Sequence, residues 1–389
     1  MTTFGEILRR LLNERGMSLG GLSEATHYDK GYLSKVSNGR RPVTEDVARA
    51  CDAALHARGE LIGAAHLDVV AARDARPWET TELIQRIQAS DISPYTIEQI
   101  QAMVVELCCE YPFRDATQLR RDAQDWLRRV AGQLRRPVGL PQHRELLVAA
   151  GWLALLIGCL EYDLGMRGAA EATRVAARQL GTEAGHGEIL GWAYEMSAWF
   201  ALTQGRYRDV LDAARAGRVA DSTSSVAVQL FAQEAKALAR VGDRDGVRRA
   251  LDQGAELLSV LPCPDRPEHH FAVDPAKWDF YAMDAYRLAG DDERAATHAG
   301  AVLGQGTAAD GTERAPMRMA EARLTLGVRA ARSGRLEEAM AHGEQALGTS
   351  RRSLPSLLMV AGELASVLHG RYPDEAATHA FDDLLREVR

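Results

Sequence analysis

The feature that most constrains this chain lies near its amino end, in the segment from Ser18 to Arg41. Its sequence, SLGGLSEATHYDKGYLSKVSNGRR, predicts two short helices joined by a tight turn. Ser18 and Asp29 are favourable N-caps, because a side-chain oxygen at that position accepts a backbone N–H from the first turn of the helix. Asn38 and Gly39 tolerate left-handed backbone angles and are therefore expected to end the second helix. The segment is predicted to be a helix-turn-helix.

The second of these helices has an apolar face and a polar face. Leu33 and Val36 are three residues apart and are predicted to face inward. The outer face and the residues that follow it carry lysine, tyrosine and arginine. Lysine can donate to guanine N7 and O6, tyrosine can pack on a thymine methyl or a sugar, and arginine can pair with phosphates. These residue types predict a helix that enters the major groove of double-stranded DNA.

Residues 4–57 resemble the Cro/repressor, or XRE-type, helix-turn-helix domain. The residues that carry the resemblance are Phe4, Leu8, Met17, Ser18, Leu22, Ser23, Tyr32, Leu33, Ser34, Asn38, Gly39, Arg40, Arg41, Pro42, Val47 and Leu55. This chain has His27 where the family usually has a turn glycine, and Ser23 where the family has a small alanine. Histidine can adopt the left-handed angles of such a turn at modest cost.

The resemblance also implies which residues face DNA. It implies groove-facing positions for Lys30, Gly31, Tyr32 and Lys35, and phosphate or groove-edge positions for Ser34 and Arg41. The complete predicted DNA-binding set is Ser18, Lys30, Gly31, Tyr32, Ser34, Lys35, Asn38, Arg40 and Arg41.

Charge and cysteine usage limit the alternatives. The net charge of −7 argues against a protein that binds nucleic acid along its whole length. The five cysteines are Cys51, Cys108, Cys109, Cys159 and Cys263. They form no C-x-x-C pair and their number is odd, so we expect reduced, mostly buried thiols in a cytosolic protein. The start, MTTFGEILRRLL, has no export signal, and the apolar run 146–160 is too short to cross a bilayer, so we expect a core helix, no membrane partner and a cytoplasmic location.

A chain of 389 residues is expected to contain more than one domain. The clearest linker is the sequence DARP, since Pro77 discourages helix in the residue before it. We predict a helix-turn-helix DNA-binding domain at 1–73, a linker at 74–78 and a helical domain for sensing and dimerisation at 79–389. The absence of two-residue alternation predicts helices and no strands.

A repeat is visible from about residue 146 onward. Each unit has an apolar helix, a turn with glycine and an alanine-rich helix. The turn glycines are Gly165, Gly205, Gly242, Gly290 and Gly334, spaced by 40, 37, 48 and 44 residues. The pattern resembles tetratricopeptide repeats. The predicted fold class is all-α: an N-terminal helix-turn-helix bundle followed by an α-solenoid of tetratricopeptide-like helical hairpins with a concave inner face.

The longest spacing contains the unusual stretch LPCPDRPEHHFAVDPAKWDF, residues 261–280. His269, His270 and Asp274 suggest a metal site, but adjacent histidines with no nearby second pair favour capping or packing. A third hypothesis is a loop that covers the groove of the solenoid and contacts an effector. The residues assigned to this effector contact are His269, His270, Trp278 and Tyr281. We predict no metal and no cofactor.

The helix-turn-helix and the segment EHHF-x-V-DP-x-KWDFYAMDAYR together resemble a large group of bacterial regulators of secondary metabolism and development. The resemblance implies a regulator but no particular ligand. The motifs G-x-x-x-x-G-K-[ST], G-x-S-x-G and H-E-x-x-H do not occur, so we expect no enzymatic activity.

The prediction for function is a transcriptional regulator that binds a two-fold operator as a homodimer. Its body would bind a small metabolite, a peptide or a protein partner. Asparagine, an economical residue for holding a peptide backbone, occurs only at Asn13 and Asn38, which argues against an extended peptide. The alternative is a protein–protein interaction adaptor in which the helix-turn-helix is accessory.

Overall fold

The computed structural model describes residues 3–74 and 91–388, which fall into two compact units, Met1–Gln88 and Ala89–Arg389. We call the described residues 3–74 the head and the described residues 91–388 the body. The predicted linker at 74–78 lies outside the described residues except for Asp74. Among the described residues of the two units, the only β-type pairing is one isolated bridge, between Thr307 and Glu313 in the body. The predicted all-α class is confirmed.

The head is a bundle of helices around an apolar core. Its helices within the described residues are α1 (Phe4–Glu14), α2 (Leu19–Thr26), α3 (Lys30–Ser37), α4 (Glu45–Ala54) and α5 (Glu60–Asp74). The core is formed by Phe4, Leu8, Leu11, Leu12, Leu22, Leu33, Val36, Val47, Cys51, Leu55 and Leu61. Ser18, Asp29 and Thr44 cap α2, α3 and α4 through their side-chain oxygens, as the sequence predicts. The local cap signals therefore define where these short helices begin.

Two carboxylates, those of Asp52 and Asp68, hold α5 in the bundle through hydrogen bonds to backbone N–H groups. Asp52 is buried, and its two carboxylate oxygens accept the backbone N–H groups of Gly59 and Leu61 at 2.9 and 3.0 Å. Asp68 on α5 accepts the backbone N–H of Phe4 at 2.9 Å. These bonds satisfy donors that a helix start leaves unpaired.

The body consists of consecutive helices that pack as hairpins. Its helices within the described residues are α6 (Pro94–Glu110), α7 (Ala116–Gln133), α8 (Leu140–Asp163), α9 (Arg167–Ala184), α10 (Gly187–Thr203), α11 (Tyr207–Ala220), α12 (Ser225–Val241), α13 (Arg244–Val260), α14 (Pro275–Ala289), α15 (Asp292–Gly306), α16 (Pro316–Arg332), α17 (Leu336–Leu347), α18 (Leu354–Arg371) and α19 (Ala376–Val388). From α8 onward, each even-numbered helix pairs with the next helix along the chain.

The same turn joins the helices of five hairpins. The turn glycines Gly165, Gly205, Gly242, Gly290 and Gly334 all have positive φ angles, between 72° and 84°. At Gly242, the N–H groups of Gly242 and Asp243 return to the carbonyls of Ala239 and Leu238. This is a Schellman arrangement, in which a left-handed residue satisfies the last carbonyls of the helix. The predicted repeat is therefore present as a repeated turn geometry.

Helix α8 contains the apolar run predicted to be a core helix. Its length and composition would suffice to cross a membrane, but 78% of its most apolar window is buried inside the body. Leu146, Leu153 and Leu160 have no exposed surface. The hydrophobicity of α8 is thus used in the core of the body.

The first helices of successive hairpins, α8, α10, α12, α14, α16 and α18, also pack against one another, and α18 contacts α8 and α10 again. The indole Nε1 of Trp199 on α10 donates to Ser356 Oγ on α18 at 2.9 Å. The row of first helices therefore curls until its last member meets its beginning. This closure was not predicted from the sequence.

Buried charges tie the curled helices together. Arg287 on α14 is 1% exposed and donates to Glu363 on α18 at 2.8 Å, to Thr325 on α16 at 2.7 Å, and to Asp284. Burial by itself would raise the pKa of Asp284, but the charges of Arg287, Lys236 and Arg240 outweigh it and hold the pKa well below its usual range. Asp284 is consequently ionised in the interior.

Replacing Asp284 by asparagine should lower the free energy of unfolding of the body by about 3–5 kcal/mol, because neighbouring buried cations would lose their counter-charge. The measurement is urea unfolding followed by tryptophan fluorescence. The matched control is Asp245→Asn, which removes an exposed ion pair with Arg248 on α13 and should cost less than about 1 kcal/mol. Equal effects of the two changes would contradict this assignment.

Candidate nucleic-acid interface and body cavity

Helices α2 and α3 meet at a left-handed residue. His27 has φ 61° and ψ 18°, the left-handed angles expected at the turn. Ser23 Oγ donates to the backbone carbonyl of Tyr28 at 2.6 Å, so this serine fixes the position of the turn that leads into α3. Leu33 and Val36 are buried, as predicted. The opposite face of α3 is thereby directed outward.

The outward face of the head carries cations without acidic partners. Lys30, Lys35, Arg40 and Arg41 are exposed, and none of them forms an ion pair with the part of the chain that the structure describes. Their charges are therefore available to a partner.

Two arginines elsewhere in the head are ion-paired, whereas Arg9, Arg15 and Arg58 form no ion pair with the described residues. Arg10 on α1 pairs with Glu60, and Arg49 on α4 pairs with Glu45. Glu60 and Glu45 are thus engaged by arginines of α1 and α4.

Tyr32 is partly buried and is held by its neighbours. Its ring lies 6.1 Å from that of Tyr28 in a stacked arrangement. The guanidinium carbon of Arg41 lies 4.8 Å from the centre of the Tyr32 ring, within the range of a cation–π contact. Tyr32 therefore orders Arg41, a relation that the sequence analysis did not predict.

Ser18 and Asn38, two further residues predicted to contact DNA, form hydrogen bonds within the head. Ser18 Oγ accepts the N–H of Gly21 at 3.1 Å and keeps its own hydroxyl proton for another acceptor. Asn38 Nδ2 donates to the carbonyl of Ser34 at 2.8 Å. Gly31 is exposed, and a Cβ there would lie 3.0 Å from Asp29 Oδ1. All nine predicted residues lie in the α2–α3 region or directly after it, and their contact with DNA stays a prediction.

A family model described as a helix-turn-helix domain matches residues 3–65. This region spans α1 to α4 and the first part of α5. A comparison of the whole chain with curated proteins gives no match. The head therefore contains a helix-turn-helix domain, and a domain of this kind indicates a DNA-binding regulator.

In the body, the loop before α14 is held mainly by Lys277. The Lys277 ammonium donates to the backbone carbonyls of His269, His270 and Ala272. Asp274 caps α14 by accepting the N–H of Lys277 at 2.8 Å. Burial and the nearby charge of Arg318 lower the pKa of Lys277 to about 7. Lys277 was not among the residues predicted to act in this stretch.

His269 and His270 pack within this loop. His269 Nδ1 accepts the N–H of Phe271 at 3.2 Å, and the ring of His270 stacks on Tyr111 with 3.7 Å between ring centres. Burial and the charge of Lys277 lower the pKa of His269 to about 4 and that of His270 well below its usual value. In residues 3–74 and 91–388, no group of three or more His, Cys, Asp and Glu side chains is placed to hold a metal ion.

A cavity of about 130 Å³ lies among the first helices of the hairpins. Its wall is formed by residues of α10, α12, α14, α16 and α18, together with the turn after α6 and the loops before α14 and α18. They are Tyr111, Pro112, Glu195, Trp199, Leu202, Gln229, Gln233, Lys236, His270, Lys277, Phe280, Tyr281, Met317, Arg318, Glu321, Ser353, Ser356 and Met359. The cavity is thus built by residues that are up to 248 positions apart, from Tyr111 to Met359.

The structure divides the four residues of the predicted effector contact. His270 and Tyr281 line the cavity, whereas His269 and Trp278 do not. Trp278 instead lies over Gly254 of α13, where an added Cβ would come within 2.4 Å of the indole. Tyr281 donates its hydroxyl to Gln229 Oε1 at 2.6 Å.

Among the polar groups of the cavity, Tyr281, Gln229, Glu195 and Gln233 form one connected chain, and two charged residues stand apart from it. Gln229 and Gln233 both donate to Glu195 Oε1, at 2.7 and 2.6 Å. Arg318 and Glu321 on α16 are the isolated charges, and neither side chain has a hydrogen bond or ion pair with the described residues. A spacing of three residues places Arg318 and Glu321 on one face of α16, but the sequence alone gave no sign that this face meets a cavity.

Glu321 should make the stability of the body depend on pH. Burial raises the pKa of Glu321 from 4.5 to about 7. Because the folded state binds the proton of this carboxyl more tightly than the unfolded state does, protonation favours folding. This contribution to stability is complete below the unfolded pKa and is lost as the pH rises through the folded pKa. Glutamine does not titrate, so Glu321→Gln avoids this loss. As the pH rises from 5 to 8, the free energy of unfolding of Glu321→Gln should therefore increase by about 3 kcal/mol relative to that of the unsubstituted protein.

This change is measured by urea unfolding at several pH values. Glu344→Gln on the exposed side of α17 is the control and should give no comparable change with pH. A stability difference between Glu321→Gln and the unsubstituted protein that is constant from pH 5 to pH 8 would contradict the buried state of the carboxyl.

Proposed function

We propose that this protein is a sequence-specific transcriptional regulator of the XRE type, which binds a two-fold operator as a homodimer and responds to an effector held in a tetratricopeptide-like body. It acts by binding, without catalysis, in the cytoplasm. The observation that carries the proposal is the group of exposed cations on and directly after α3 that have no acidic partner among the described residues.

The contacts proposed with DNA follow from position. Lys30 and Lys35 lie on the outer side of α3 and would donate to guanine edges in the major groove. Arg40 and Arg41 follow the helix and would pair with phosphates, with Arg41 preordered over the Tyr32 ring. Ser18 and Ser34 would add hydroxyl contacts to the backbone of the duplex. Because Asn38 already bonds to Ser34, its share in DNA binding would be mainly to shape the end of α3.

The body supports a small effector better than an extended peptide. Helix α18 contacts α8, α10 and α16, so the inner side of the row of first helices is partly occupied by the chain itself. The cavity that remains is about 130 Å³, which suits a single compact molecule. An adaptor function would instead use the outer surfaces of the hairpins.

The double variant Lys30→Ala/Lys35→Ala should weaken specific DNA binding by roughly 30-fold or more, because a lost base contact costs about 1–3 kcal/mol. The measurement is fluorescence anisotropy with the full chain and an operator selected from a random duplex library, repeated at several salt concentrations.

The matched control is Arg10→Ala/Arg49→Ala, which removes the same amount of charge from ion-paired positions of the head. It should retain nearly all specific affinity. If both double variants bind the operator equally well, the recognition surface is not on α3, and the adaptor alternative gains support.

The homodimer can be tested separately. Sedimentation of the full chain should give a dimer, and the selected operator should contain two inverted half-sites about one helical turn apart. A monomer that binds an asymmetric site as a single copy would refute the two-fold arrangement while leaving DNA binding intact.

A further inference from the structure

The cavity of the body contains a cation whose counter-charge is missing. Arg318 projects from α16 into the cavity wall, and it forms no hydrogen bond or ion pair within the described parts of the chain. Removal from water lowers the pKa of Arg318, yet arginine stays protonated in proteins. A partly buried guanidinium without an anion is unfavourable, and a ligand that supplies one would complete the ion pair.

Other wall groups have unused capacity to accept hydrogen bonds. Glu321, one turn from Arg318 on α16, is 7% exposed and its carboxyl has no partner among the described residues. Gln233 Oε1 is also buried without a partner in this part of the chain. Glu195 uses Oε1 for both glutamines, and its Oε2 makes no hydrogen bond to the described residues. A ligand with a hydroxyl or amino group would satisfy such acceptors.

Aromatic rings and thioethers make up much of the remaining wall. Trp199, Phe280 and Tyr281 provide rings, and Met317 and Met359 provide thioethers that adapt to a ring edge. A volume of about 130 Å³ is close to that of an engineered protein cavity, about 150 Å³, that holds benzene. The wall therefore fits one six-membered ring with small substituents.

We propose that this cavity binds a compact ring-bearing acid that also carries a hydroxyl or amino donor, with the acid group on Arg318 and the donor toward Glu321, Gln233 or Glu195. The assignment of this acid as an effector rests on the proposed function, since only a DNA-binding head would use it as a signal. The ligand class itself rests on the cavity alone. Lys277 is less suited to hold the acid, because its ammonium is already engaged by three backbone carbonyls.

The test uses the full chain and four probes: 4-hydroxybenzoate, 4-aminobenzoate, benzoate and the neutral 4-hydroxybenzamide. Isothermal titration calorimetry should detect binding of the two substituted acids, weaker binding of benzoate, and binding of the amide weaker by roughly 10- to 100-fold, since a charge-assisted hydrogen bond is lost. Arg318→Met should lose affinity for the acids by a similar factor and should bind acid and amide equally. Arg329→Met, which changes an arginine of the same helix that does not line the cavity, should bind as the unsubstituted protein does.

Circular dichroism of Arg318→Met confirms folding, and the comparison of acid with amide on the unsubstituted protein does not depend on any variant. The proposed ligand class is overturned if no acid binds at millimolar concentration, or if acid and amide bind the unsubstituted protein equally. Operator binding is measured with and without the acid in the same preparation. Acid binding without any operator binding would reject the proposed function and leave the ligand site standing, whereas operator binding without acid binding would reject the ligand class only.

Discussion

The curled body depends on the contacts of one buried guanidinium. Arg287 joins α14, α16 and α18 through Glu363, Thr325 and Asp284, and it has almost no exposed surface. A buried cation of this kind is tolerated only when its donors are paired, so these contacts require α14, α16 and α18 to lie close together. The bond from Trp199 to Ser356 in turn holds α18 against α10, where the row of helices closes.

Closure has a consequence for what the body can bind. With α18 against α8 and α10, the inner side of the hairpins narrows to a cavity lined by five of the first helices. A molecule in this space would contact helices from several hairpins at once. Packed helical elements shift as units when a contact between them changes, so a ligand here is well placed to alter the relative positions of hairpins.

Charge is arranged differently in the two units. The protein as a whole is acidic, with a net charge of −7. In the head, Lys30, Lys35, Arg40 and Arg41 are exposed and lack acidic partners among the described residues, which produces a local positive surface suited to a polyanion. In the body, a subset of the charged groups is buried in networks or faces the cavity, and removal from water shifts the pKa values of Lys277 and Glu321 toward neutrality.

Local rules determined much of this protein from its sequence. The N-caps at Ser18 and Asp29, the left-handed His27 and the positive-φ glycines of the hairpins depend on neighbours within about five residues, which a single sequence displays. The buried leucines of α8 follow from composition in the same way. The head's outward face was predictable for the same reason, because the spacing of Leu33 and Val36 fixes which side of α3 remains outside.

Only the tertiary structure decided the closure by α18, the cavity and the isolation of Arg318 and Glu321. These features join residues far apart in the chain, such as Trp199 with Ser356 and Arg287 with Glu363. The predicted effector set was divided for the same reason: His270 and Tyr281 reach the cavity, while Trp278 packs on Gly254 of another helix. Helical periodicity assigns a residue to a face, but which partner covers that face depends on how the hairpins curl, and this is set by long-range packing.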